Sequence, residues 1–127
     1  GQRSIALGDL REEPWLLPCV GGTCPDSNVV LNACRDAGFE PDVYLDSDDY
    51  PALQGMAAAG VGVALIPALA TATVRGDVVV RPVRGRAPER RILAAVRAGE
   101  RDALVDETLE ALRTAARAML SAQPLAA

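Results

Sequence analysis

Residues 47–67 read SDDYPALQGMAAAGVGVALIP, and the order of helix and strand signals in them is the most informative of the chain. It begins with a polar loop in which Asp48 and Asp49 can cap a helix by accepting hydrogen bonds from its first amides. Pro51 suits the first helical turn, and Gly60 suits the position after the last one, since glycine adopts the left-handed conformation without a Cβ penalty. The stretch therefore starts with a loop, a short helix and a turn.

The second half of the stretch predicts a buried strand. Residues 61–66 are apolar or glycine, and Pro67 ends the run, which is typical of a strand covered on both faces in a parallel sheet. The polar loop thus meets a helix N-terminus at the edge of a sheet. Open α/β domains bind small anions at such places.

The same stretch resembles a segment in the second lobe of the effector-binding domain of LysR-type transcriptional regulators. Residues 7–17, 37–41, 78–83 and 90–97 follow the order of elements in that family. The resemblance implies an α/β fold, a lobe of the periplasmic-binding-protein type II class. Its sheet would be mixed and mostly parallel, flanked by helices, and truncated relative to the full two-lobed domain.

The resemblance also implies partners and a division of the chain. We expect residues 1–14 to end the first lobe, 15–97 to form the second lobe, 98–122 to be a helix returning to the first lobe, and 123–127 to be a disordered tail. The partners implied are a small-molecule effector, with a carboxylate favoured, and further copies of the chain in a dimer or tetramer. DNA would be contacted only by a winged helix-turn-helix domain outside this chain. The present chain by itself should bind effector weakly or not at all.

Local patterns predict the remaining elements. Strands are expected at residues 15–20, 43–45, 78–83 and 91–97, and helices at 28–37, at 68–74 and from about 99–102 onward. Asp26 or Ser27 is expected to cap the first of these helices, and Gly38 to end it. The last helix carries an apolar stripe that needs a cover, so it would lie against a second copy or be mobile.

Composition excludes several classes of function. The net charge is −4, with thirteen Arg and neither Lys nor His, which argues against this chain gripping nucleic-acid phosphates alone. There is no stretch long and apolar enough to span a bilayer and no signal-peptide pattern, so we expect a cytoplasmic protein. We expect no cofactor, metal site or catalytic residue, because nucleophile, phosphate-loop, dinucleotide and metal motifs are missing.

Two loops at one edge of the sheet are the predicted ligand site. The loop after the first strand combines glycines with hydroxyl side chains near a helix N-terminus, which suits a carboxylate, and Ser47 opens the second loop. An ordinary capped loop explains the same residues. The predicted ligand contacts are Cys19, Gly21, Gly22, Thr23, Ser27, Ser47, Asp48 and Gly62.

Other interpretations stay open. Asp46, Asp48 and Asp49 form a cluster of carboxylates, for which capping of the helix by Asp48 or Asp49 is favoured over catalysis. Tyr50 suits either the mouth of the cleft or a dimer surface. A redox switch at Cys19 and Cys24 is poorly supported, because the cysteine pair of peroxide-sensing members of the resembled family has another place and spacing. The alternative functions are a fragment of a solute-binding receptor or dehydratase with the same lobes, and a free-standing dimerisation module.

Overall fold

The computed structural model describes residues 3–19, 24–99 and 102–122. The chain forms two compact units, residues 1–90 and 91–127. The first unit contains both strands and two α-helices, and the second contains the last helix. The elements are β1 (Pro14–Pro18), α1 (Pro25–Asp36), β2 (Asp42–Ser47), α2 (Tyr50–Ala58) and α3 (Ala103–Ala122), with 3-10 helices at Leu7–Leu10 and Ala68–Thr71.

The first unit is built on a β-α-β arrangement. β1 and β2 pair in parallel, from Pro14 opposite Asp42 to Pro18 opposite Ser47, and α1 makes the crossover between them. β1 is almost continuously apolar and buried, whereas the first half of β2, including Tyr44, is exposed. Among the described residues the sheet has these two strands only, and they are parallel.

A small aliphatic and aromatic core fixes α1 on the sheet. The Trp15 side chain is fully buried, lies 5.9 Å from the Phe39 ring centre to centre, and donates a hydrogen bond from Nε1 to the Leu10 carbonyl (3.1 Å). Burial of the apolar groups stabilises this packing, and the indole N–H finds the partner that a buried tryptophan needs. The buried cluster consists of Leu7, Trp15, Leu17, Val30 and Cys34.

The predicted ends of the first two helices are confirmed. Gly38 and Gly60 both have positive φ angles, +84° and +74°, directly after the helical turns. The Phe39 amide then donates back to the Cys34 carbonyl (3.1 Å), and the Val61 amide to the Met56 carbonyl (3.1 Å). Glycine therefore ends each helix where the sequence pattern indicated.

The predicted caps were less accurate. α1 begins before Asp26 and Ser27, at Pro25, with Cys24 in the N-cap position, so neither of the two proposed residues is the cap. Asp49 does occupy the N-cap position of α2, but its side chain makes no capping hydrogen bond. Proline at the first helical position explains the earlier start of α1, because its fixed φ angle favours helix initiation.

Three predicted strands are not formed in the described residues. Residues 61–66 contribute one bridge, in which the Val63 amide donates to the Pro14 carbonyl and the Leu16 amide to the Val63 carbonyl, both at 2.8 Å. Residues 78–83 likewise contribute a single bridge, between Val83 and Ile5, and residues 91–97 contribute no strand. A strand needs hydrogen-bonding neighbours along its length, and these apolar runs lack them.

Candidate functional site

The carboxyl ends of β1 and β2 lie side by side. Pro18 pairs with Ser47, and the Cys19 amide donates a hydrogen bond to the Ser47 carbonyl at 2.9 Å. The loops that follow the two strands therefore leave the sheet at one edge, as the sequence predicted. We call this the carboxyl edge of the sheet, formed by Cys19 and Ser47 with the first turns of α1 and α2.

The first turn of α1 packs directly on the end of β1. The Ser27 side chain is fully buried, and its hydroxyl donates a hydrogen bond to the Pro18 carbonyl. The Cys24 sulfur lies 3.8 Å from the same carbonyl and 3.8 Å from Ser27 Oγ. The hydroxyl of Ser27 thus has a partner within the protein, and its contact with a ligand stays a prediction.

The two thiols at this edge differ in acidity. Hydrogen bonding to Cys24, followed by burial, raises the pKa of Cys19 to about 11. Burial acts to raise the pKa of Cys24, but hydrogen bonds from Cys19, from Ser27 and from amides at the start of α1 together lower it below the usual thiol value. Cys19 also has a φ angle of +85°, which is rare outside glycine.

Ser47 shapes the loop that leads into α2. Its hydroxyl oxygen accepts a hydrogen bond from the Asp49 amide at 3.2 Å, which closes a tight turn before the helix. Ser47 is half-buried, and Asp48 is exposed on the same loop. Both predicted ligand contacts in this loop are therefore within reach of solvent.

Asp26 connects three parts of the chain at the carboxyl edge. Its Oδ2 accepts a hydrogen bond from the Tyr50 hydroxyl at 2.6 Å, and its Oδ1 accepts one from the Arg90 guanidinium. These residues come from the first turn of α1, the first position of α2 and the connection that follows residue 84. The Asp26 carboxylate therefore has one charged donor and one neutral donor.

The pKa directions agree with this geometry. The hydrogen bond from Tyr50, and then the one from Arg90, lower the pKa of Asp26, although partial burial opposes them. Burial and the bond to Asp26 raise the pKa of Tyr50. At neutral pH the group consists of an ionised Asp26, a neutral Tyr50 and a charged Arg90, so every hydrogen bond in it is charge-assisted.

A family comparison matches this chain over residues 1–117 to the LysR substrate binding domain. The chain belongs to this family. The match confirms the predicted fold class, because the LysR substrate-binding domain is of the periplasmic-binding-protein type II class. In its described residues this chain has a small parallel sheet and three α-helices, as expected for an α/β fold.

Curated relatives of this LysR substrate-binding domain are transcriptional regulators. The transcriptional dual regulator GltC of Bacillus subtilis (strain 168) is 33% identical over 66 residues, which cover 52% of this chain and 21% of that protein. The HTH-type transcriptional regulator AlsR of the same organism is 28% identical over 80 residues, which cover 63% of this chain and 26% of that protein. The matches thus span about a quarter or less of these relatives.

Not every predicted contact of this LysR domain lies at the carboxyl edge. Gly62 lies against Pro14, at the opposite end of β1. By the usual rise of a parallel strand, Pro14 is about 13 Å from Pro18. A Cβ atom on Gly62 would be 3.0 Å from the Pro14 carbonyl carbon, so glycine is needed there for close packing of two backbones. Gly21, Gly22 and Thr23 lie outside the described residues.

Sequence reasoning did not include Tyr50 and Arg90, which lie at this edge of the LysR domain, among the predicted ligand contacts. Tyr50 was placed either at the mouth of the cleft or at a dimer surface, and Arg90, directly before the strand expected at residues 91–97, was given no role of its own. A weak signal existed for Tyr50, which follows Ser47 by three residues and begins α2. Arg90 had none, because 64 positions separate it from Asp26 in the sequence.

None of the helices in residues 3–19, 24–99 and 102–122 is long and apolar enough to cross a membrane. In the same residues, no three His, Cys, Asp or Glu side chains come together as a metal-binding group.

Proposed function

We propose that this chain is part of the effector-binding region of a LysR-type transcriptional regulator, and that it binds a small anionic metabolite without transforming it. The observation that carries the proposal is the meeting of two loop ends and two helix N-termini at the carboxyl edge. Amides at helix N-termini attract anions, and a sheet edge of this kind is a common place for ligands in α/β domains.

The expected role is regulation by differential affinity. A metabolite changes the arrangement of a regulator only if it binds one arrangement more tightly than another. We propose that the metabolite binds between this lobe and a second lobe, and that the resulting change is passed to other copies in a dimer or tetramer. A winged helix-turn-helix domain outside the 127 residues would then contact DNA, in the cytoplasm.

The test uses the complete gene product and the DNA upstream of its gene. A panel of mono- and dicarboxylates is added while DNA binding is followed by mobility shift and footprinting. We expect at least one carboxylate to change the affinity for DNA or the length of the protected region, and to be recovered unchanged. A panel that leaves the DNA complex unaltered, or a carboxylate that is converted to product, would contradict the proposal.

A matched pair of serine variants locates the response. Ser47→Ala removes a hydroxyl at the carboxyl edge. It should weaken the binding of the carboxylate that changes the DNA complex about threefold to tenfold, the usual effect of one lost hydrogen bond. Ser121→Ala removes an exposed hydroxyl from α3 and should change nothing. Thermal melting of both variants checks that Ser47→Ala has not simply unfolded the turn at Asp49.

A further inference from the structure

The Asp26 carboxylate is bound in the way that proteins bind a ligand carboxylate. Each of its two oxygens has its own donor, the Tyr50 hydroxyl on one side and the Arg90 guanidinium on the other. The donors come from separate parts of the chain and converge on one anionic group. Arginine is favoured in such sites because its planar group remains charged and holds several donors in fixed positions.

This group is accessible enough for exchange. The side chains keep 35% of their accessible surface at Arg90 and 22% at Asp26, so water and small solutes can reach the pair. An ion pair at this depth contributes modestly to the stability of the fold. Separating a deeply buried pair costs more, because it leaves an unsolvated charge. Exchange of one carboxylate for another at Arg90 is therefore energetically feasible.

Asp26 keeps a favourable environment after it leaves Arg90. It lies in the first turn of α1, where the amides and the helix dipole stabilise a negative charge. The same turn contains Cys24 and Ser27, and Tyr50 begins the helix that follows the Ser47 loop. The Asp26, Tyr50 and Arg90 group thus lies at the carboxyl edge, where a ligand is proposed to bind.

We propose that Arg90 and Tyr50 form the carboxylate receptor of this site, and that Asp26 is an internal occupant which a ligand carboxylate displaces. The inference rests on the proposed function and names the residues that would recognise the anion. It also supplies a link between binding and shape. When Asp26 is displaced, the segment at residue 90 is held by the ligand instead of by α1.

Acetate is the probe, because it carries a carboxylate and little else. The ¹⁵N-labelled chain is titrated with sodium acetate at mildly acidic pH, and equal amounts of sodium chloride control for ionic strength. The reporters are the Nε–Hε signal of Arg90, assigned by its loss in Arg90→Gln, and the amide signal of Tyr50. In the wild type we expect weak, saturable shifts of both signals that chloride does not reproduce.

Variants separate the occupant from the receptor. Asp26→Asn removes the competing charge, so acetate should bind at least about threefold more tightly. Arg90→Gln should abolish the saturable shift at Tyr50, and Tyr50→Phe should weaken binding about threefold. Arg86→Gln makes the same charge change in the same connection, at an exposed residue, and should leave binding unchanged.

Two results would overturn the inference. One is an Asp26→Asn variant that binds acetate no more tightly than the wild type, and the other is an Arg90→Gln variant that still binds it. If Asp26→Asn loses the signal dispersion of a folded chain, Tyr50→Phe decides the matter, since unchanged acetate binding in that variant excludes the receptor.

This test and the test of the proposed function fail separately. The acetate titration involves no DNA, so its outcome does not depend on whether the complete gene product responds to a metabolite. Conversely, a complete protein whose response to its carboxylate is the same with Arg90→Gln would remove Arg90 from the site and leave the regulator proposal intact.

Discussion

At the scale of single residues, Gly62 was predicted to contact a ligand, but its environment indicates a packing role. The sequence placed it among the ligand contacts, whereas the structure places it against the backbone at Pro14. Gly62→Ala would press a methyl group onto the Pro14 carbonyl, and a backbone group cannot rotate away as a side chain can. We expect a loss of about 1–3 kcal/mol in the free energy of unfolding, as for other overpacked sites, measured by urea denaturation.

Gly55 is the matched control for Gly62. It lies within α2, and a Cβ atom added there would meet nothing within 4 Å. Gly55→Ala should therefore stabilise the chain by about 0.5–1 kcal/mol, because alanine loses less backbone freedom than glycine when a helix forms. The opposite signs are the decisive feature: a Gly62→Ala variant as stable as Gly55→Ala would show that Val63 does not pack on β1 in solution.

At the scale of elements, one buried side-chain amide on α2 holds residues 70–75, the segment that begins within the second 3-10 helix. The Gln54 side chain accepts a hydrogen bond from the Arg75 amide (3.0 Å) and donates to the carbonyls of Ala70 (3.5 Å) and Thr73 (3.4 Å). Gln54→Ala would leave these partners without their bonds, and we expect a loss of about 1–3 kcal/mol by urea denaturation. Asn28→Ala, an exposed amide on α1, should stay within about 0.5 kcal/mol of the wild type. Equal stability of the two variants would exclude this role for Gln54.

Sequence reasoning succeeded for elements that depend on local signals. The apolar period and Gly38 predicted α1, and the same logic with Gly60 predicted α2. It failed to predict the structure of residues 61–66, 78–83 and 91–97. An apolar run indicates that a segment prefers burial, but it does not show whether a neighbouring strand is present to pair with it. The site divides in the same way. Parallel strands imply that Cys19 and Ser47 meet, whereas the bond between Asp26 and Arg90 depends on the path of the whole first unit.

At the scale of the whole molecule, burial is uneven. Every buried residue of the described ranges lies in the first unit, between Leu7 and Gln54. In the second unit the apolar stripe of α3 is only partly covered. Val105 and Leu109 are half-buried, whereas Leu112 at 55% and Met119 at 47% are exposed, as is the neighbouring Leu104 at 71%. A helix with little packing on its apolar face has little stability beyond its own propensity, because most of the stability of helices in proteins comes from such packing.

This difference predicts two levels of hydrogen exchange. We expect amides of α3 to exchange at least about tenfold faster than those of β1 and α1, because local opening costs less where few apolar contacts are broken. Deuterium uptake by mass spectrometry, from seconds to hours, measures both regions in one sample, so α1 is the internal control. Equal protection in α3 would contradict the expectation and would mean that something covers the stripe in solution. Dilution then identifies what covers the stripe. Protection by a second copy decreases when the protein is diluted, whereas protection within one chain does not change.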